Sequence, residues 1–168
     1  MKKLSLLAIA LFMAVPMWCQ TTNRFTLDGK AMGYSGGGSA LIAADAGAEI
    51  VLTPTLSARQ DNIILSTQDS QSNLASFSVG GIEYKPSIKL LPKTYQFYAL
   101  GEAGIVATGL ATTPAYSVGG GLNYNPPSQS SLSVNLFEVR WLHGSVPIGN
   151  GKVNNNGVAF AIGVSFGK

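Results

Sequence analysis

The most regular hydrophobic pattern of the chain lies at its C-terminal end, between Val158 and Lys168. Large apolar residues stand at every second position there: Val158, Phe160, Ile162, Val164 and Phe166. The positions between them carry only alanine, glycine and serine. Because side chains alternate between the two faces of a β-strand, this pattern predicts a strand with one strongly apolar face. Such a face must meet either a protein core or lipid.

Strand-like patterns recur along the chain, separated by Gly, Pro, Asn and Ser, and no amphipathic helix pattern follows the first twenty residues. The predicted strands are 24–34, 40–52, 61–67, 74–84, 95–107, 115–124, 131–142 and 158–167. The third has the weakest support, because only Ile63, Ile64 and Leu65 form an apolar run. Most segments approach the nine to eleven residues with which a tilted strand crosses a bilayer. The pattern predicts an all-β fold, an eight-stranded antiparallel up-and-down transmembrane β-barrel.

An internal repeat supports a series of hairpins. Residues 78–86 read SVGGIEYKP and residues 117–126 read SVGGGLNYNP, so both end in tyrosine followed two positions later by proline. Leu52 and Pro54 end the second segment in the same way. Proline cannot donate to a β-ladder and therefore ends strand pairing. The repeat predicts that the even-numbered strands all end on the side where the first strand begins.

The N-terminus is typical of a secretory signal peptide. Lys2 and Lys3 precede an apolar run from Leu4 to Val15, which is too short to span a membrane as a helix. We assign residues 1–20 to this signal peptide and residues 21–168 to the barrel domain. Cys19 is the only cysteine, so no internal disulfide is expected. Lipid attachment at Cys19 stays open as an alternative.

Charge is scarce, at 11% of residues, which is unusual for a soluble surface. No basic cluster indicates a nucleic-acid partner, and no cluster of ligand residues indicates a metal or another cofactor. Most charges within the predicted strands share one face, where they should line the lumen and pair with one another. The predicted lumen charges are Asp28, Lys30, Asp45, Glu49, Glu102, Glu138 and Arg140. The fourth strand departs from this pattern, because Phe77 and Val79 share the face of Glu83.

Aromatic residues cluster near the ends of the predicted strands, as in the aromatic girdles that mark membrane interfaces. Those expected near the end where the first strand begins are Phe25, Tyr84, Tyr95, Tyr124 and Phe166. Those expected near the other end are Tyr34, Tyr116 and Trp141. The longest external loop is predicted at 143–157, and the other external loops, near 35–39, 68–73 and 109–114, are short.

With these features the chain resembles the small outer-membrane β-barrel proteins, the eight-stranded group that includes the membrane domain of outer membrane protein A. The resemblance covers the mature length and rests on the signal peptide, the strand count, "GGIEYKP", "GGLNYNP" and "GVAFAIGVSFGK". Members usually end on an aromatic residue, whereas Gly167 and Lys168 follow Phe166 here. The resemblance implies a bacterial outer-membrane location, with membrane lipids and the assembly machinery as partners. We expect a non-enzymatic monomer with a structural or surface-interaction role and a narrow lumen filled by side chains.

Two other functions stay open as alternatives. The segment from His143 to Ser145 is similar to the His-x-Ser of outer-membrane lipid A deacylases, where an acid orients the histidine that activates the serine. No Asp or Glu follows Glu138, so the orienting acid is missing from its expected place. The run Gly33–Gly37 matches the G-x-S-x-G nucleophile elbow, but no helix follows it. A soluble lipocalin-like barrel, with its apolar face inward and a small apolar ligand inside, is the other alternative.

Overall fold

The computed structural model describes residues 24–36, 39–66, 74–88, 92–107, 112–127, 131–148 and 151–167. The predicted signal peptide, residues 1–20, lies outside this part. The strands are β1 (Phe25–Gly36), β2 (Ser39–Thr53), β3 (Leu56–Ser66), β4 (Leu74–Tyr84), β5 (Tyr95–Ala107), β6 (Thr112–Tyr124), β7 (Leu132–Ile148) and β8 (Gly151–Gly167). Each strand pairs antiparallel with the next, and β1 pairs with β8 to close the barrel. The predicted fold class is therefore confirmed. In these ranges no helix is long and apolar enough to cross a membrane.

The third strand is longer than its sequence pattern indicated. It begins at Leu56, directly after a two-residue turn at Pro54 and Thr55, rather than at residue 61. Its first half alternates polar side chains that point inward, such as Arg59 and Asp61, with Ala58 and Gln60. A search for apolar alternation misses such a strand, because its inward side chains are charged.

The predicted loop at 143–157 is wrong, because this segment continues β7 and β8 as a long hairpin. Pairing of β7 with β6 stops at Gly144, and pairing of β8 with β1 stops at Gly157. Beyond these points β7 and β8 pair only with each other, up to Ile148 and Gly151. The glycines and asparagines of this segment are typical of a loop. Two strands can still pair without an apolar face where neither face packs against the barrel core.

A β-bulge interrupts β7. The register of β7 against β8 shifts between Asn135 and Glu138, so that Leu136 and Phe137 both stay on the outside. A bulge inserts an extra residue into one strand and redirects the side chains that follow it. As a result both Asn135 and Glu138 are buried inside the barrel.

The interior changes character along the barrel axis. Going up β1 from its N-terminal end, the inward residues are Asp28 and Lys30, followed by Met32 and Tyr34. Strands β2, β3, β4 and β7 repeat this order, with charged residues towards the end where β1 begins and apolar residues towards the other end, whereas on β5 the inward Glu102 lies between Leu100 and Val106. The buried apolar cluster contains Met32, Tyr34, Ala43, Ile63, Leu65, Ala75, Phe77, Val79, Val106, Ala115, Leu142, Ala159 and Ala161. This segregation explains β4, where Phe77, Val79 and Glu83 share one face.

The exterior is mostly apolar. Exposed large apolar side chains occur on all eight strands, and they include Ile42, Phe160 and Ile162, with exposed fractions of 78%, 60% and 62%. The face that the sequence pattern marks as apolar on β8 is therefore the outer face. A soluble lipocalin-like barrel needs the reverse arrangement, with apolar side chains inside and polar ones outside.

Candidate functional site: the charged network inside the barrel

A network of buried ionic side chains fills the half of the interior nearest the start of β1. Its three cations are Lys30, Arg59 and Arg140, and its six carboxylates are Asp28, Asp45, Asp61, Glu83, Glu102 and Glu138. All nine side chains are at most 9% exposed. Charged side chains rarely become fully buried unless they are paired, so these groups depend on one another.

Lys30 holds three strands together. Its ammonium lies 2.8 Å from Asp28 on the same strand, 3.3 Å from Asp45 on β2 and 3.2 Å from Glu138 on β7. An ammonium has three donors, which matches this number of acceptors. The barrel closes where β1 pairs with β8. Lys30 connects the two sides of this closure, because it lies on β1 and contacts β2 on one side and β7 on the other.

Arg59 also contacts several carboxylates at once. Its guanidinium lies 3.0 Å from Asp28, 2.9 Å from Asp61 and 2.6 Å from Glu83. It lies in addition 5.9 Å from the ring centre of Tyr98, within the range of a cation–π interaction. The rigid fork of five donors makes arginine suited to such a site.

Arg140 is fully buried and forms the second arginine centre. Its Nη1 lies 3.1 Å from Glu102 on β5, and its other nitrogens donate to Glu138 and Asp61. Because β3 and β7 are opposite each other in an eight-stranded barrel, the bond to Asp61 spans the interior. Carboxylates still outnumber cations in this network, and Asp28, Asp45 and Glu102 each keep one oxygen without a partner among the described residues.

The β7 bulge brings a second set of polar groups into this region. The Tyr98 hydroxyl donates to Glu138 and accepts from the Asn135 amide at 2.6 Å. The same amide nitrogen lies 2.9 Å from Asn123 on β6. Without the bulge, Asn135 and Glu138 could not both face inward.

All seven predicted lumen charges point towards the interior, and six of them belong to the network. Glu49 lies apart from the other six, at the end where β1 begins, and binds Lys85, which also lies 3.2 Å from Glu83. The sequence reasoning missed Arg59, Asp61 and Lys85 and did not assign Glu83 to the lumen. The alternation of residues 57 to 65 would have predicted Arg59 and Asp61 as inward residues, if charged side chains had been accepted on the inward face.

The predicted interface aromatics divide into two groups. Those on the outer face, exposed or half-buried, are Phe25, Tyr84, Tyr95, Tyr116, Tyr124, Trp141 and Phe166. The prediction for Tyr34 is wrong, because its side chain is 2% exposed and packs inside the barrel. Tyr34 has the strand parity of Asp28 and Lys30, so it must share their face. Its ring lies against Gly157, where a Cβ would have no room.

His143 lies on the outer face near the end of the barrel where the β7–β8 hairpin emerges. Its ring stacks between Trp141 and Tyr116, with centroid distances of 5.5 and 6.2 Å. Its Nδ1 is hydrogen bonded to the side-chain oxygen of Asn156, the cross-strand neighbour of His143 on β8. His143 therefore has a polar partner at a position where the sequence offered no acid. The side chain of Ser145 lies outside the described part of the structure.

An apolar exterior around a buried ionic network is the arrangement of a transmembrane β-barrel, since lipid rather than water suits such an outer surface. Within the described ranges, no group of histidine, cysteine, aspartate and glutamate could hold a metal ion. No protein-family model and no curated protein matches the sequence.

Solved structures do resemble the fold. Neisserial surface protein A (NspA) superposes with a TM-score of 0.61 at 10% identity, covering 86% of this chain and 95% of that chain. The N-terminal β-barrel domain of Pseudomonas aeruginosa OprF gives 0.55 at 12% identity, covering 85% and 97%. Ail, the attachment invasion locus protein of Yersinia pestis, gives 0.52 at 8% identity, covering 87% and 97%. The expected likeness to small eight-stranded outer-membrane barrels is confirmed for the fold.

Proposed function

We propose that this protein is a non-enzymatic structural barrel of the bacterial outer membrane, with a closed lumen and one projecting surface hairpin. The observation that carries the proposal is the distribution of polarity. The described acidic side chains point inward, while large apolar side chains cover the outside. A bilayer accepts closed barrels because every strand edge is paired. The expected partners are outer-membrane lipids and the assembly machinery.

Two features of the interior support a closed lumen. The bond between Arg140 and Asp61 crosses the charged half, and the apolar half contains fully buried side chains such as Ile63, Phe77 and Leu142. An eight-stranded barrel is only wide enough for its interior to be filled by side chains. In planar bilayers we expect no stable conductance steps, whereas regular channel openings would contradict this part of the proposal.

The β7–β8 hairpin supports a surface-interaction role. It continues past Gly144 and Gly157, where the neighbouring strands stop pairing with it, and its two strands pair with each other up to Ile148 and Gly151. The other connections at this end, at 37–38, 67–73 and 108–111, are short. Among the described residues, the hairpin is thus the largest element available for contacts above the barrel rim.

Fractionation and gel mobility test the location. We expect the mature chain in the outer-membrane fraction, extracted only by detergent, and with different mobility before and after boiling in dodecyl sulfate. Closed barrels resist unfolding by this detergent until heated, so the shift reports the folded state. A soluble periplasmic monomer would refute the proposal and support the lipocalin-like alternative.

A second candidate function rests on His143. The hydrogen bond from its Nδ1 to the side-chain oxygen of Asn156 fixes the imidazole on the lipid-facing side, and Ser145 follows two residues later. In a hydrolase of the deacylase type, Asn156 would orient the histidine that activates Ser145. The test is release of fatty acid from lipid A by the reconstituted protein, by His143→Ala and by Ser145→Ala. Activity that both variants abolish would establish the enzyme, and its absence from the unmodified protein would exclude it.

A further inference from the structure

The outer face of β3 and β4 differs from the rest of the exterior. At the middle of these strands the outward positions carry Gln60 and Asn62 on β3 and Ser78 on β4, and the outward Ser76 lies beside Ile64, nearer the hairpin end. Asn62 is exposed and lies one residue from the midpoint of the eleven-residue strand Leu56–Ser66. A strand of this length only just spans the hydrocarbon, so Asn62 lies close to its centre.

These polar groups have no hydrogen-bond partners among the residues that the structure describes. Within the described ranges, no hydrogen bond involves the side chains of Gln60, Asn62, Ser76 or Ser78. The cross-strand neighbours of Asn62 are Ala46 and Ser78, and neither bonds to its amide. An amide that faces hydrocarbon without a hydrogen bond is strongly disfavoured. On the opposite wall the outward residues at mid-strand are apolar, such as Val139 and Ile162.

The surroundings of this polar patch permit close approach by another backbone. Next to Gln60 and Asn62 lie small outward residues, namely Ala44, Ala46 and Gly80. Large apolar side chains frame the patch, with Ile64 towards the hairpin end and Ile82 towards the other end. Small residues around a hydrogen-bonding group are typical of the contacts between membrane-spanning segments.

We propose that this face, defined by Gln60, Asn62, Ser76 and Ser78, binds the same face of a second copy of the chain. A side-chain amide carries both a donor and an acceptor, so two Asn62 side chains related by a two-fold axis satisfy each other. An isologous contact of this kind also brings Gln60 to Gln60. The patch carries no charge, which fits an identical partner better than a charged one. This proposed dimer differs from the monomer that is expected from the sequence.

The proposal rests on the membrane location, and cross-linking in vesicles tests it. The only cysteine of the chain is in the predicted signal peptide, so Gln60→Cys introduces a single thiol into the mature protein. Val139→Cys places the thiol on the opposite wall as a matched control. In phosphatidylcholine vesicles with excess lipid, oxidation should convert most Gln60→Cys chains to covalent dimers and leave Val139→Cys chains mainly monomeric.

Two further variants test the role of the amide. Adding Asn62→Leu to Gln60→Cys should abolish most of the cross-linking, whereas adding Ile64→Leu should leave it unchanged. Equal cross-linking at positions 60 and 139, or undiminished cross-linking with Asn62→Leu, would overturn the dimer. Cross-linking in cells to a different protein would overturn it too. A heat-modifiable barrel that is monomeric in vesicles refutes the dimer alone, while failure to insert into vesicles refutes the membrane location.

Discussion

Arg140 on β7 and Asp61 on β3 are hydrogen bonded to each other across the full width of the barrel. Three strands separate β3 from β7 in either direction around the closed sheet. The two residues are 79 positions apart in the chain, so their contact forms only when both halves of the barrel are in place. It therefore stabilises the closed sheet rather than one hairpin.

The first prediction concerns this arginine. Arg140→Met should lower the free energy of unfolding by about 3–5 kcal/mol, because it leaves several buried carboxylates without their cation. Urea-induced unfolding in lipid vesicles, followed by tryptophan fluorescence, measures the change. Glu102→Gln is the matched control and should cost less than about 1 kcal/mol, since an amide still accepts from Arg140 and the network already has excess carboxylates. Equal losses in the two variants would argue against this account of the charge balance.

The second prediction concerns Tyr34, whose buried hydroxyl has no hydrogen-bond partner among the described residues. Tyr34→Phe should leave the free energy of unfolding unchanged or raise it, because it removes an unsatisfied polar group. Tyr34→Ala should lower it by about 3–5 kcal/mol through the cavity it leaves. If Tyr34 lay at the membrane interface instead, Tyr34→Ala would lower the free energy of unfolding much less. Measuring the free energy of unfolding of the two variants therefore distinguishes a buried Tyr34 from an interface Tyr34.

The third prediction concerns the lipid-facing side of β8. Ile162→Arg should lower the free energy of unfolding in lipid by roughly 2–4 kcal/mol, as expected for a charge near the bilayer midplane. Phe166→Arg, near the end of the strand, should cost less.

A fluorescence experiment tests the same face without adding charge. Phe160→Trp in a Trp141→Phe background should be quenched by lipids with brominated acyl chains. Quenching by water-soluble agents alone would show that position 160 does not face hydrocarbon.

The fourth prediction concerns orientation. If the N-terminus is periplasmic, the connection between β7 and β8 faces outside and the turn at Pro54 and Thr55 faces the periplasm. An epitope tag inserted at 149–150 should be labelled on intact cells, and one inserted between Pro54 and Thr55 should be labelled only after the outer membrane is opened. The reverse labelling pattern would invert the topology.

Period-two alternation was enough to predict the strand number, the antiparallel order and the outward face of β8. The alternation did not reveal strands whose inward residues are charged, as in the first half of β3. It also did not reveal strands that extend beyond the barrel core, as β7 does past Gly144. Tyr34 is four positions from the inward Lys30 on the same strand, so it must also face inward. Its assignment to the aromatic girdle did not take this alternation into account. The Asn135–Glu138 bulge and the partners of each carboxylate depend on three-dimensional packing, and no single segment encodes them.

Burial of the carboxylates in the lumen makes the surface of the folded protein more positive than its composition indicates. Seven of the eight acidic residues of the chain point into the barrel, and the eighth, Asp69, lies outside the described residues. Among the charged side chains whose exposure the structure describes, Arg24 and Lys93 are exposed, and both are positive. The folded form in neutral detergent should therefore bind a cation exchanger more tightly than the urea-unfolded chain, which displays both signs. Chromatography at pH 7 would thus separate folded from unfolded protein by surface charge, although the two have the same composition.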